Sequence, residues 1–157
     1  MTKPLITAPL DPGFQPAVLF NRKYVHDVRV SGKAVPLVLG LERECGLVSR
    51  FETVVSPTVD AQTLLYVERL VKFLIWGRGG WKLHFGGPKS IGDYILKTYS
   101  ARGARKFDCD MMTLAYGKKF EVVLTSADKV PAAKDMQVAA GGHLKGCRIG
   151  FDLGASD

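Results

Sequence analysis

Asp60–Ser90 reads DAQTLLYVERLVKFLIWGRGGWKLHFGGPKS, and its reading decides the fold. Leu64, Leu65, Val67, Leu70, Val71, Leu74 and Ile75 recur at helical spacing, which predicts a helix from about Asp60 to Trp76 with a broad apolar face. Thr58 or Asp60 can accept hydrogen bonds from the free N–H groups at its start. Gly77, Gly79 and Gly80 supply the exit, because glycine takes the left-handed conformation a helix end often needs. Trp81–Phe85 then reads as a strand, Gly86-Gly87-Pro88-Lys89 as a turn, and Ser90–Tyr99 as a second helix. Ser90 and Asp93 fit an acidic capping box. Helix, strand, helix in succession predicts α/β packing in the middle third.

Outward from this stretch the predictions differ. Residues 1–16 are Pro-rich and read as an extended arm. Ala17–Phe20, Tyr24–Val30, Val35–Leu41 and Leu47–Val55 are short apolar, β-branched runs that predict an antiparallel meander. Ser31-Gly32-Lys33 would be a hairpin turn, and Cys45-Gly46 a bend. Pro36 marks its run as an edge strand or a strand start. Val48, Phe51 and Val54 or Val55 are candidates for burial. Phe120–Thr125 predicts a further strand. Residues 127–146 are small and polar and read as a linker. Cys147 begins a final short apolar run. The expected class is α+β, with N-terminal antiparallel strands followed by helix, strand, helix and strand. The expected domains are an extension over 1–126, a linker over 127–146, and the start of a second domain over 147–157.

Composition bounds the function. The 157 residues are 46% hydrophobic and 24% charged, ordinary for a globular protein. No apolar run approaches the roughly 20 residues of a membrane helix, and the N-terminus lacks a signal layout, so a cytoplasmic protein without membrane contact is expected. Cys45, Cys109 and Cys147 are scattered, which argues against a disulfide framework. The net charge of +7 invites nucleic acid or an acidic protein as partner, but the basic residues form no dense block.

Four constellations carry chemistry. Gly86, Gly87, Lys89 and Ser90 lie between a strand and a helix N-terminus, where free N–H groups and the helix dipole favour an anion. The competing account is an ordinary turn capped by Ser90. Asp108-Cys109-Asp110 could hold a cation or act as acid and base, and otherwise reads as a polar turn before Met111. Trp76 and Trp81 flank the glycine turn, and they read as core aromatics bracketing it rather than as a base-stacking platform. The fourth lies in Cys147–Asp157, CRIGFDLGASD. Asp152 stands at a strand's end and is followed by the small residues Gly154, Ala155 and Ser156. Phosphate oxygens can approach the backbone of such a turn closely, and the Asp can hold Mg²⁺ through water or phosphate.

Cys147–Asp157 resembles the first strand and phosphate-binding loop of the ROK family, the bacterial repressors and sugar kinases that include glucokinase, within the actin-like (ribonuclease H-like) ATPases. The segment departs from the family at Ala155, where a second Gly is usual, and at Asp157, where Lys is common. The resemblance implies that Asp152 sits near Mg²⁺ and phosphate, and that Gly154, Ala155 and Ser156 line an ATP-binding loop. It further implies a parent protein that phosphorylates a sugar such as glucose, using ATP and Mg²⁺ in a kinase domain missing here. Residues 1–126 would be an N-terminal extension of such a protein. The 157-residue fragment would need no cofactor and would be inactive by itself, because one strand and one loop cannot close a nucleotide cleft. The alternative is a basic α+β binding module for nucleic acid or an acidic protein.

Overall fold

The computed structural model describes residues 9–11, 14–136 and 146. They form an α+β fold with a four-stranded mixed sheet and four α-helices. In chain order these are α1 (Ala17–Val30), β1 (Val35–Glu42), β2 (Val48–Val55), α2 (Ala61–Arg78), β3 (Lys82–Gly86), α3 (Lys89–Thr98), α4 (Lys106–Tyr116) and β4 (Glu121–Thr125). Short 3-10 turns occupy Glu44–Gly46 and Ala127–Lys129. Among the described residues no helix is long and apolar enough to cross a membrane.

The sheet order is β2-β1-β3-β4. β1 is antiparallel to both neighbours, and β3 is parallel to β4. β2, β3 and β4 therefore share one direction, joined by helical crossovers that step the same way across the sheet. Such connections are almost always right-handed, so steps in one direction place their helices on one face. Leu37, Leu39 and Leu41 of β1 and Leu83 and Phe85 of β3 accordingly meet Val67, Val71 and Ile75 of α2, Ile91 and Ile95 of α3, and Met112 of α4 in one core.

The predicted N-terminal meander is corrected. Ala17–Val30 is one helix, and only β1 and β2 form the expected hairpin. Phe20, Tyr24 and Val28 recur every four residues and face the core, while Val28 and Val30 also satisfy a two-residue alternation. The helical pattern prevails because α2 offers a partner: Tyr24 stacks on Tyr66 with ring centroids 4.3 Å apart and donates to Thr63 Oγ1 at 2.9 Å. β1 is a central strand. Pro36 lies in the first turn of pairing, opposite Val54 and beyond the reach of β3, so it costs no hydrogen bond to that neighbour. Val48 and Val55 are buried as expected, but Phe51 is exposed, because β2 is the edge of the sheet formed by the described residues.

The predicted helix of the middle third is α2. Asp60 caps it, accepting from the Thr63 N–H at 2.8 Å, and Gly79 ends it at φ 70°. The second predicted helix is α3. The polar turn expected at Asp108–Asp110 is instead part of α4.

The other face of the sheet carries Val38, Gly40 and Glu42 of β1 and Lys82, His84 and Gly86 of β3. Residues 126–134 cross it. A Cβ on Gly40 would lie 2.7 Å from Val130 Cγ1, and one on Gly86 would lie 2.5 Å from Val130 Cγ2. The two glycines thus make a socket that Val130 fills, and Val130 is buried. Arg50 donates to the carbonyls of Val130 and Pro131 at 2.6 and 3.1 Å. Lys134 then exchanges two main-chain hydrogen bonds with Val48, at 2.9 and 3.0 Å. The described part of the segment expected to be a linker, 127–136, is held on the sheet in this way.

A Cβ in the socket must displace Val130. Gly40→Ala, whose Cβ would meet Val130 Cγ1 at 2.7 Å and nothing else nearer than 3.7 Å, is expected to lower stability by about 1–3 kcal/mol. Val130→Ala empties the same space and should also destabilise. In the double variant the loss should be smaller than the sum, read from urea midpoints in a double-mutant cycle.

Candidate functional site at the strand ends

The C-terminal ends of the parallel strands β3 and β4 face the N-terminus of α3. In open α/β sheets ligands bind in crevices at such ends. A cleft of about 270 Å³ lies here, lined by Phe85, Gly87, Lys89, Gly92, Leu124 and Thr125. Among the expected anion-site residues, Gly87 and Lys89 meet in this cleft. Gly86 precedes it and turns its back to Val130 and Ala127. Ser90 lies in the first turn of α3, exposed and outside the lining.

The capping box expected from Ser90 and Asp93 does not form. Pro88 stands at the N-cap, and no side chain caps the helix. Pro88 holds the chain at φ −56°, suited to entry into a helix, and its carbonyl accepts from the N–H groups of Ile91 and Gly92 at 3.1 and 3.0 Å. Asp93 instead pairs with Lys89 at 2.7 Å. The Lys89 side chain is 82% exposed, so its charge lies at the rim of the cleft, offset by that carboxylate.

The small residues here answer to packing. A Cβ on Gly87 would come within 2.8 Å of Leu37 Cδ1, and one on Gly92 within 2.9 Å of Leu124 Cδ2. They let α3 settle closely on β3 and β4. The uncapped first turn of α3 can offer N–H groups to an anion, and the cleft beside it has room for a small ligand.

The other expected sites divide. Asp152, Gly154, Ala155 and Ser156 lie outside the described residues. The carboxylates of Asp108 and Asp110 do not converge. Asp108 is buried and accepts from Trp76 Nε1 at 2.7 Å, whereas Asp110 pairs with Lys106 on the exposed side of α4. Among the described residues no group of three or more His, Cys, Asp or Glu side chains is placed to hold a metal. His84 meets Glu42 at 2.6 Å on the sheet face crossed by 126–134. Trp76 is not a core aromatic as expected: it is half exposed and stacks on Phe107, with centroids 6.3 Å apart. Trp81 is partly buried, with the ammonium groups of Lys118 and Lys82 over its ring at 4.6 and 5.6 Å.

One polar centre was missed in the sequence. Glu68 of α2 accepts from Arg105 Nε at 2.7 Å and Nη2 at 2.6 Å, just ahead of α4, and from Tyr94 of α3 at 2.8 Å. Arg105 also approaches Asp108 at 3.9 Å. The Glu68 hydrogen bond raises the proton affinity of the Arg105 guanidinium. The same partner pushes the Tyr94 hydroxyl above its usual range. This centre joins three helices through side chains that local periodicity leaves on polar faces. Only the position of α4 brings them together.

No family model, curated protein or solved structure matches the chain.

Glu68→Ala leaves Arg105 and Tyr94 without their shared acceptor, and is expected to cost about 1–3 kcal/mol in urea unfolding. A second expectation concerns the thiols. Burial and the neighbouring Asp108 and Asp110 push Cys109 up to about 11, while Cys45 is exposed. Mass mapping after brief alkylation at pH 8 should find Cys45 modified and Cys109 intact. Because the folded-state value of Cys109 lies above the unfolded one, its contribution to stability is complete below about pH 8.5 and is lost as pH rises toward 11.

Proposed function

We propose that residues 14–136 form an accessory domain carried ahead of a ROK-like nucleotide-binding segment, in a protein that phosphorylates a sugar such as glucose or regulates through sugar binding. The observation that supports this is the segment Cys147–Asp157, where a short apolar run leads into Asp152-Leu153-Gly154-Ala155-Ser156. In this proposal Asp152 holds Mg²⁺ through water or a phosphate oxygen. The backbone of Gly154 and Ala155 and the Ser156 hydroxyl receive the phosphates of ATP. Phosphoryl transfer relies mainly on positioning and charge neutralisation, so one loop supplies part of the site and a sugar-bearing partner surface must supply the rest.

Residues 14–134 fit the accessory role. They have a continuous hydrophobic core of their own, and residues 126–134 close its second face before the ROK-like segment begins. The cleft at the ends of β3 and β4 would then be a secondary anion site of the accessory domain.

The basic charge supports the nucleic-acid alternative less well. Arg50 on β2, Lys82 on β3, Lys89 on α3, and Arg105 and Lys106 at the start of α4 each pair with a carboxylate. Nucleic-acid grooves need cations clustered along one track.

The coding sequence tests the proposal most directly. The frame after the Asp157 codon is expected to encode a catalytic Asp and a second glycine-rich phosphate loop, and unrelated sequence or a stop there overturns it. The protein carrying those elements should phosphorylate glucose in the presence of MgATP and lose this activity in Asp152→Ala. The 157-residue chain alone should show no turnover.

A further inference from the structure

We infer that an outward patch on α2 and α4, centred on Trp76 and Phe107, docks a second copy of the chain, with the two α4 helices antiparallel about a two-fold axis. The inference goes beyond the kinase proposal and does not depend on it.

α4 carries two apolar stripes. Cys109 and Met112 face the core and are buried. Phe107, Met111 and Leu114 recur at i, i+4 and i+7, so they line a second side of the helix. Phe107 is 67% exposed and Leu114 78%. Trp76 of α2 stacks on Phe107 and is 46% exposed. Its Nε1 donates to the buried Asp108 at 2.7 Å, so the indole is held in place at the surface. Single exposed apolar side chains are ordinary, whereas a contiguous run of them marks a contact surface. Trp76 and Phe107 each leave on the order of 100 Å² of ring surface in water. That is the aromatic centre of a small interface, whose rim is polar.

Charge selects the occupant. The chain carries +7, yet the α4 part of this patch is balanced. Lys106 and Asp110 pair one turn apart, and each side chain is 57% exposed. Asp110 stands three residues after Phe107 and four before Leu114, so it is a surface neighbour of both. A carboxylate at that position repels nucleic-acid phosphates, anionic headgroups and acidic proteins alike. A second copy of the chain brings the opposite sign for each of the two charges.

The signs also choose the arrangement. With two α4 helices antiparallel and the two-fold axis at the level of Asp108, Lys106 of each copy faces Asp110 of the other. Phe107 then meets Phe107 beside the axis, and Trp76, stacked on Phe107, joins the same cluster. Leu114 reaches the start of the other α4, where Ala104 is small and exposed. Lys72, one turn before Trp76 on α2, lies toward opposite ends of the seam in the two copies. Parallel helices would set lysine on lysine and aspartate on aspartate. The antiparallel pairing is closed, so it stops at the dimer, and two-fold dimers are the commonest closed assemblies.

The test is sedimentation equilibrium of the 157-residue protein from about 1 µM to 1 mM. A reversible monomer–dimer equilibrium is expected. Phe107→Ser should weaken it about tenfold or more, with folding verified by circular dichroism. Lys106→Glu and Asp110→Lys each put like charges across the seam and should each weaken self-association by about tenfold. Mixed with one another, these two variants should associate about as tightly as the unsubstituted protein, because both pairs across the seam are then opposite in sign. Loss of the Lys106–Asp110 pair within each helix cannot produce that recovery. A monomer throughout the range overturns the inference and assigns the patch to a different protein. A dimer that Phe107→Ser leaves intact, or charge variants that gain nothing on mixing, overturns it as well.

Discussion

β1 must satisfy two different surroundings at once, and the rest of the molecule follows from how it does so. Leu37, Leu39 and Leu41 point to the helices and are fully buried. Val38, Gly40 and Glu42 point the other way. Both neighbours of β1 are antiparallel to it, so the chain must cross β1 to pass from β2 to β3, and α2 is the segment that crosses. α2 therefore lies over the three leucines, and its own apolar face is buried against them. The hydrophobic driving force scales with the apolar area removed from water, and this contact brings together the richest apolar strand and the longest helix.

The second face has a different solution. With all helices committed to one side, Gly40 and Gly86 would be left as a bare strip at the sheet's centre. Residues 126–134 fill it with Val130, and Arg50 fastens the main chain around that residue. The carbonyls Arg50 receives are those that a loop lying across a sheet leaves without ladder partners, so the same contact positions the strap and satisfies buried polar groups. The strap reaches β2 and makes one rung at Val48, and among the described residues no main-chain partner meets the outward groups beyond it. Closure of one face thus determines where the exposed edge begins.

The helical side is held by charge as well as by apolar contact. Glu68 gathers Arg105 and Tyr94, and the backbone carbonyl of Glu68 also accepts from the Tyr99 hydroxyl at 3.3 Å. These bonds set α3 and α4 against α2. That orientation aims the start of α3 at the ends of β3 and β4, where the candidate anion cleft lies. The glycines of this corner let α3 settle closely on the sheet, and its uncapped first turn faces the cleft at the strand ends.

Local order was legible wherever one period dominated. The seven apolar residues of Leu64–Ile75 and the Asp60 and Gly79 stops determined α2, and the β-branched runs determined β1, β2 and β4. The Asp152–Ser156 chemistry also rests on sequence alone. α1 was not legible, because Val28 and Val30 fit a strand as well as a helix, and only Tyr66 on α2 chooses between them. α4 was hidden because its acids and cations resemble a turn until Trp76 and Arg105 engage Asp108. Phe51 looked like core until its strand proved to be the edge. Sequence determines periodicity, caps and the chemistry of single turns, since these depend on neighbours along the chain. The partner of each face, the glycine socket for Val130, the Glu68 centre and the open edge of β2 depend on residues distant in sequence, so tertiary packing alone decided them.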